Sequence, residues 1–254
     1  MNLPSQTNEL KLRSREIDLS TWPRRPIFDG FRRCEFPYLV IGVEIEMGDA
    51  PQVWKERGIS PFLACVHSIC QAANQVPAFR QRIRGAAEAV KVVEFEQIHA
   101  DFTVSEGDDL FTIRKVPFFP SLPDFLKSLT HPAAGETNAP GVSASLAASG
   151  VEVDLSTEAE DDDHWIFMSC LPWFRFNHVI QPLRKLQHDS VPRVIWGRFS
   201  QDAGRPGWRM PVSVQVHHAL VDGVHVARFF EGLESAIRDS LKTESKIGMS
   251  NGDV

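Results

Sequence analysis

Pro211-Val212-Ser213-Val214-Gln215-Val216-His217-His218-Ala219-Leu220-Val221-Asp222-Gly223-Val224-His225 is the stretch on which the reading of the chain turns. Val212, Val214 and Val216 alternate with Ser213 and Gln215, and that period of two predicts a strand with one buried face. Val224 to Ile237 then reads as a helix. His217 and His218 therefore sit where a strand ends, and a tight Asp222-Gly223 turns the chain into the helix. Imidazoles at such a junction can reach into a cleft while a rigid scaffold fixes their backbone. A lone histidine there is more often a satisfied core residue. Two adjacent ones need an explanation, because one of them must face inward.

Outward from this stretch, Val191 to Phe199 reads as the preceding strand, and Gly204 to Gly207 as the turn between the two. His164 to Ser169 is another strand, preceded by the acidic run Glu158 to Asp163. Pro132 to Gly150 is rich in Ala, Ser, Gly and Pro and predicts a surface loop or weak helix. Strands are expected at Val90–Val93, Ala100–Val104 and Leu110–Ile113, the last two joined by a polar hairpin turn, with a short helix from Ser121 to Leu129. Ser60-Pro61 opens a helix to Gln75, with Ser60 as cap and Pro61 in the first turn. Tyr38 to Met47 is a half-exposed strand in which Ile45 is flanked by Glu44 and Glu46. Ile17 to Arg25 places Trp22 beside Arg24 and Arg25.

Strands and helices mix without strict alternation of strand and helix. The expected fold is an α/β two-layer sandwich with a mixed, largely antiparallel sheet and helices packed on one side. The expected organisation is a flexible lead over 1–16, one domain over 17–241 and a frayed polar tail over 242–254. A chain of 254 residues with 43% hydrophobic and 24% charged residues is long enough for a substantial core. Its formal net charge of -6 gives no basic footprint, which argues against nucleic acid as the main partner. No apolar run approaches the ~20 residues of a membrane span, and the polar N-terminus lacks a secretory core, so a cytoplasmic location is expected. Cys65 and Cys70 lie in a helix-like apolar segment and read as core thiols.

His217-His218-x-x-x-Asp222-Gly223 is a specific string, and its extension through His225-Val226-Ala227-Arg228-Phe229 resembles the chloramphenicol acetyltransferases in particular. The resemblance runs from about Ile17 to Leu241. It implies acetyl-CoA as acyl donor, a hydroxylated small molecule as acceptor, and a homotrimer with active sites between subunits. It implies that His218 is the general base, a task suited to imidazole, which titrates near ~6.5, and that His217 is structural. Asp222 is implied to pair with Arg24 and to support the site rather than orient the base. Ser169 to His178 resembles the family segment that carries a serine donor to the tetrahedral oxyanion, but the matching residue here is His178. An imidazole N–H can fill that role.

By the same resemblance Phe31, Phe111, Trp173 and Phe174 line the acceptor pocket, and Arg198 with Phe199 contacts coenzyme A. No metal is expected: the His-Glu-x-x-His motif is absent, and His218 and Asp222 straddle a turn. Two alternatives are carried. One is an acyltransferase core related to dihydrolipoamide acyltransferase, which this chain fits less well because it has no lipoyl domain or swinging linker. The other is a catalytically weak or silent binding or scaffold homologue, suggested by His178.

Overall fold

The computed structural model describes residues 13–85, 89–107, 110–130, 163–184 and 189–242. Most of the expected lead, the Ala/Ser/Gly/Pro-rich stretch, most of the acidic run and nearly all of the tail fall outside them.

Among the described residues the chain forms nine strands and five α-helices. They are β1 (Ser14–Glu16), α1 (Arg25–Phe31), β2 (Tyr38–Gly48), α2 (Ala50–Glu56), α3 (Pro61–Gln75), β3 (Gln81–Arg84) and β4 (Lys91–Phe95). Then follow β5 (His99–Gly107), β6 (Leu110–Val116), α4 (Leu122–Thr130), β7 (Trp165–Leu171), β8 (Arg193–Gly197), β9 (Trp208–His217) and α5 (Gly223–Ser240). A six-stranded sheet has the order β2-β9-β8-β7-β5-β6. β7 runs parallel to both β5 and β8, and the remaining pairs are antiparallel. The sheet is mixed and mainly antiparallel, as the pattern of elements implied.

One face of this sheet carries the core. Val212, Val214 and Val216 of β9 join a single apolar cluster with Ala64, Val66 and Ile69 of α3 and Phe229, Leu233 and Ile237 of α5. Ser60 caps α3 through its Oγ, which accepts from Leu63 N at 3.5 Å, and Pro61 occupies the first turn. α5 buries Val226, Phe229, Phe230, Leu233 and Ile237, the spacing of one helix face, and Phe229 stacks on Phe79 at 4.9 Å. Each such side chain, fully buried, contributes roughly 1.5–3 kcal/mol. Cys65 and Cys70 are buried in α3 as expected.

Three features depart from the sequence reading. First, β9 is buried on both faces: Ser213 and Gln215 are each 1% exposed. An extended strap, residues 177–183, lies over them. Ser213 Oγ accepts from Val179 N at 3.0 Å and donates to Val179 O at 3.2 Å, while Gln215 Oε1 accepts from Gln181 N at 2.8 Å. Second, a separate antiparallel sheet, β1-β4-β3, enlists Ser14–Glu16, so the polar lead is tied down at its end. Third, α1 and α2 are short helices with prolines in their first turns, too brief for a periodic signal.

The strap is possible because β2 carries Gly42 beneath it. A Cβ there would stand 1.4 Å from the Asn177 carbonyl oxygen. In the loop before β9, Gly204 (φ 81°) and Gly207 (φ 82°) adopt the left-handed backbone that tight turns need.

Candidate functional site

The site is built at the end of β9. The last pair of the β2–β9 ladder is Tyr38 with His217, and the His218 N–H donates to Pro37 O at 2.7 Å. His217 turns into the core, 1% exposed, edge-on to Tyr38 at 5.3 Å, and its Nδ1 accepts from Ala219 N at 3.3 Å. His218 turns the other way and is half-buried. Its Nδ1 lies 3.1 Å from the Val221 carbonyl oxygen. A carbonyl only accepts, so in this contact Nδ1 carries the proton, and a neutral ring then keeps its lone pair on Nε2. The ring stacks on Phe31 of α1, centroids 3.9 Å apart and planes 23° from parallel. Backbone bond and aromatic wall together fix which nitrogen is basic and where it points.

Arg24 clamps the turn beyond. Its Nε donates to Ala219 O at 3.1 Å and one terminal nitrogen to His218 O at 3.1 Å, while the other bonds both Asp222 oxygens at 3.1 and 2.5 Å. The guanidinium thus engages the carbonyls of His218 and Ala219 as well as the carboxylate. Partial burial pushes the Asp222 carboxyl up, but the bonds and charge of Arg24 outweigh it, and the group titrates below the ordinary carboxylate range. Asp222 also caps α5, with His225 Nδ1 3.1 Å from its backbone N and 3.0 Å from its Oδ1. Burial lowers the pKa of His225 against the opposing pull of Asp222. The three imidazoles of this stretch therefore face three different groups and do not converge on one point.

The remaining sequence-nominated residues lie elsewhere. Phe111 projects from β6, and Trp173 and Phe174 follow β7 with ring centroids 6.4 Å apart; all three are exposed. Arg198, just past β8, donates its backbone N–H to Phe174 O at 2.8 Å, and its exposed side chain pairs with no carboxylate among the described residues. Phe199 beside it packs on the core. His178 is exposed on the strap, its Cα above Gly42. Gly42 pairs with Ser213, four residues along the ladder from the Tyr38–His217 pair, which places His178 on the order of 13 Å from the end where His218 stands. Within one chain, His178 and His218 do not meet. The structure thus brings Arg24, Phe31, His218 and Asp222 together and separately joins Arg198 to the Trp173–Phe174 pair; among the described residues no hydrogen bond or ring contact ties His178 or Phe111 to either group.

Sequence reasoning passed over a pocket on the outer face of the sheet. It occupies about 380 Å³ and is lined by Thr103, Ile113, Phe167, Ser169, Gln181 and Arg184, among others. The signal was present in the alternation of β5, where Asp101 and Thr103 interleave with the core residues Ala100 and Phe102. It went unread because nothing local shows that a strap roofs the same face.

The chain matches the family model described as chloramphenicol acetyltransferase over residues 12–234. It is 26% identical to chloramphenicol acetyltransferase 2 of Escherichia coli over 230 residues, 89% of this chain and 98% of that protein. It is also 26% identical to a chloramphenicol acetyltransferase of Streptomyces acrimycini over 224 residues, 88% and 94% of the two chains. Among solved structures, a chloramphenicol acetyltransferase superposes with a TM-score of 0.69 at 23% identity, covering 89% of this chain and 99% of that one. A probable dihydrolipoamide acetyltransferase from Listeria monocytogenes shares the fold at a TM-score of 0.53 and 12% identity, with 91% and 97% covered.

Proposed function

Because the chain belongs to the chloramphenicol acetyltransferase family, it is an acetyl-CoA-dependent acyltransferase, and we propose that it acetylates a hydroxyl of a small molecule with His218 as general base. The observation that carries this reading is the contact of His218 Nδ1 with Val221 O, which leaves the Nε2 lone pair free to take a proton. The acceptor hydroxyl gives its proton to Nε2, its oxygen forms a bond to the thioester carbon, and the carbonyl electrons move to oxygen. Collapse of that tetrahedral oxyanion expels the coenzyme A thiolate, which recovers the proton from the imidazolium. His178 is the candidate donor to the oxyanion. Arg24 and Asp222 hold the turn that carries His218, and Arg198 with Phe199 offers a cation and an aromatic face to the nucleotide of coenzyme A.

His178 and His218 are too far apart to share one centre within a chain, so the reading includes a homotrimer in which the His218 group of one copy and His178, Trp173, Phe174 and Arg198 of a neighbour are the two half-sites of one centre. Trp173, Phe174, Phe111 and Ile180, all exposed, supply apolar surface for such a contact. Among the described residues no helix is long and apolar enough to cross a membrane. The free cysteines suit a reducing cytoplasm.

Release of coenzyme A thiol from acetyl-CoA, with chloramphenicol and a panel of hydroxylated acceptors, tests the activity. His218→Ala should lower it by about 10²–10⁴-fold with the fold intact; a variant within threefold of the parent removes His218 from the mechanism. Mixing His218→Ala with His178→Ala subunits tests the shared site, because random trimers regenerate about a quarter of the sites with both halves intact. A mixture no more active than either parent would mean that the halves are not shared between chains.

A further inference from the structure

The outer-face pocket has a charge pattern that bears on what it accepts. Its floor is a row across the sheet in which Lys115 faces Asp101, Asp101 neighbours Phe167, and Phe167 neighbours Arg193. Two of its charges have counterparts nearby. Lys115 stands directly across the strand pair from Asp101, and Arg193 donates to both oxygens of the buried Asp189.

Among the described residues Arg184 is the pocket's surplus cation. Its guanidinium carbon lies 4.6 Å from the centroid of the Phe167 ring, and among the described residues no carboxylate pairs with it. Its backbone N–H is anchored on Asp189 Oδ2 at 2.8 Å, which holds the residue at the pocket edge. Gln181 lines the same pocket. Its Nε2 is buried without a hydrogen-bond partner among the described residues, and its backbone alone ties the strap to Gln215. Thr103 and Ser169 share one hydrogen bond at 2.8 Å, so whichever hydroxyl accepts it keeps its own proton for another partner. The Arg184 guanidinium and the Thr103 and Ser169 hydroxyls thus line a cavity that Asp101 and Arg193 share and whose other walls include the apolar Ile113, Phe167 and Leu183.

Resting on the acyltransferase reading above, we propose that the acceptor is a hydroxy acid: an apolar, preferably aromatic body with a carboxylate held by Arg184. The carboxylate sits against the Phe167–Arg184 stack and the body covers Ile113 and Phe167. The free hydroxyl points out of the pocket, toward the base supplied by a second copy of the chain.

The test separates recognition from turnover. Binding of para-(hydroxymethyl)benzoate, its methyl ester and para-(hydroxymethyl)benzylamine to the full chain is measured by calorimetry without acetyl-CoA. The acid should bind about 10- to 100-fold more tightly than the ester, since hydrogen bonds to a charged group exceed neutral ones. Arg184→Gln should collapse that ratio toward one and Arg184→Lys should restore part of it, with thermal midpoints confirming that each variant folds. Ester or amine binding as well as the acid, or a preference that survives Arg184→Gln, would overturn the assignment. Thiol release with acetyl-CoA is the separate arm. Acid-selective binding with no release from any of the three supports carboxylate recognition and counts against acetyl transfer. Equal release from acid and ester overturns the hydroxy-acid assignment alone.

Discussion

Replacing Gly42 by alanine adds one methyl group beneath the strap, and the structure says what it meets. The new Cβ would lie 1.4 Å from Asn177 O and 2.5 Å from Asn177 C. Non-bonded atoms settle near 3.5 Å, so the strap must retreat by roughly 2 Å. That retreat breaks at least the reciprocal pair between Ser213 Oγ and the Val179 backbone, 3.0 and 3.2 Å long. Ser213 is 1% exposed, so its hydroxyl is stranded away from water. Two lost hydrogen bonds, with a buried polar group left unsatisfied, cost about 3 kcal/mol. For a domain of this size that lowers the midpoint of thermal unfolding by ~6–12 °C. Turnover should fall beyond the stability effect, because His178 rides on the displaced backbone. Gly30→Ala is the control: a Cβ there meets nothing within 4 Å, in a helix. That change should be neutral or stabilising by up to ~1 kcal/mol. Urea and thermal unfolding of both variants, with turnover at a temperature where both are folded, makes the comparison. Should Gly42→Ala match Gly30→Ala in stability, the strap is not seated on β2 as described.

Other outcomes follow from the same geometry. Arg24→Ala should reduce stability by about 2–4 kcal/mol, since it removes the clamp on two carbonyls and leaves Asp222 with His225 alone; activity should fall with it, and a purely kinetic loss at unchanged urea midpoint would contradict the clamp. Burial, with His164 nearby, lowers the pKa of His99 to about 4 while its Nδ1 accepts from Phe118 N, so the unfolded chain binds the extra proton first. Stability is whole above about pH 6.5 and is lost toward pH 4, by ~2 kcal/mol at pH 5. His99→Asn, which keeps an acceptor and cannot titrate, should flatten the urea midpoint against pH, and an unchanged slope would place the acid sensitivity elsewhere. His178→Ala should lower turnover by about 10²–10³-fold and His178→Ser should retain it; wild-type rates in both would exclude an oxyanion donor at this position.

The sheet's core side was legible because its signals are local. Alternation in Val212–Val216, the Ser60-Pro61 start of α3 and the apolar stripe of α5 each fit within one element. The Arg24–Asp222 pair spans 198 residues and came only from the resemblance, yet its bonds are present. What stayed hidden depends on partners that local pattern cannot supply. β1 exists because β4 offers an edge, and Ser14–Glu16 alone is too short and polar to announce a strand. The strap has no periodicity, since its hydrogen bonds go to the side chains of Ser213 and Gln215 rather than to a ladder.

That choice of partner explains why one strand positions both His218 and the strap. Polar residues on the second face of β9 would normally signal solvent, and here they are the fasteners of the strap that carries His178. The same strand ends in the His217–His218 pair, whose turn is clamped by Arg24. A change that shifts β9 along its ladder with β2 would therefore move the base and the strap together, whereas a change confined to Gly42 moves only the strap. If both halves belong to one catalytic centre shared between copies, the first kind of change disturbs both edges of a subunit at once. The second leaves each His218 in place and should be complemented by subunits whose own strap is intact.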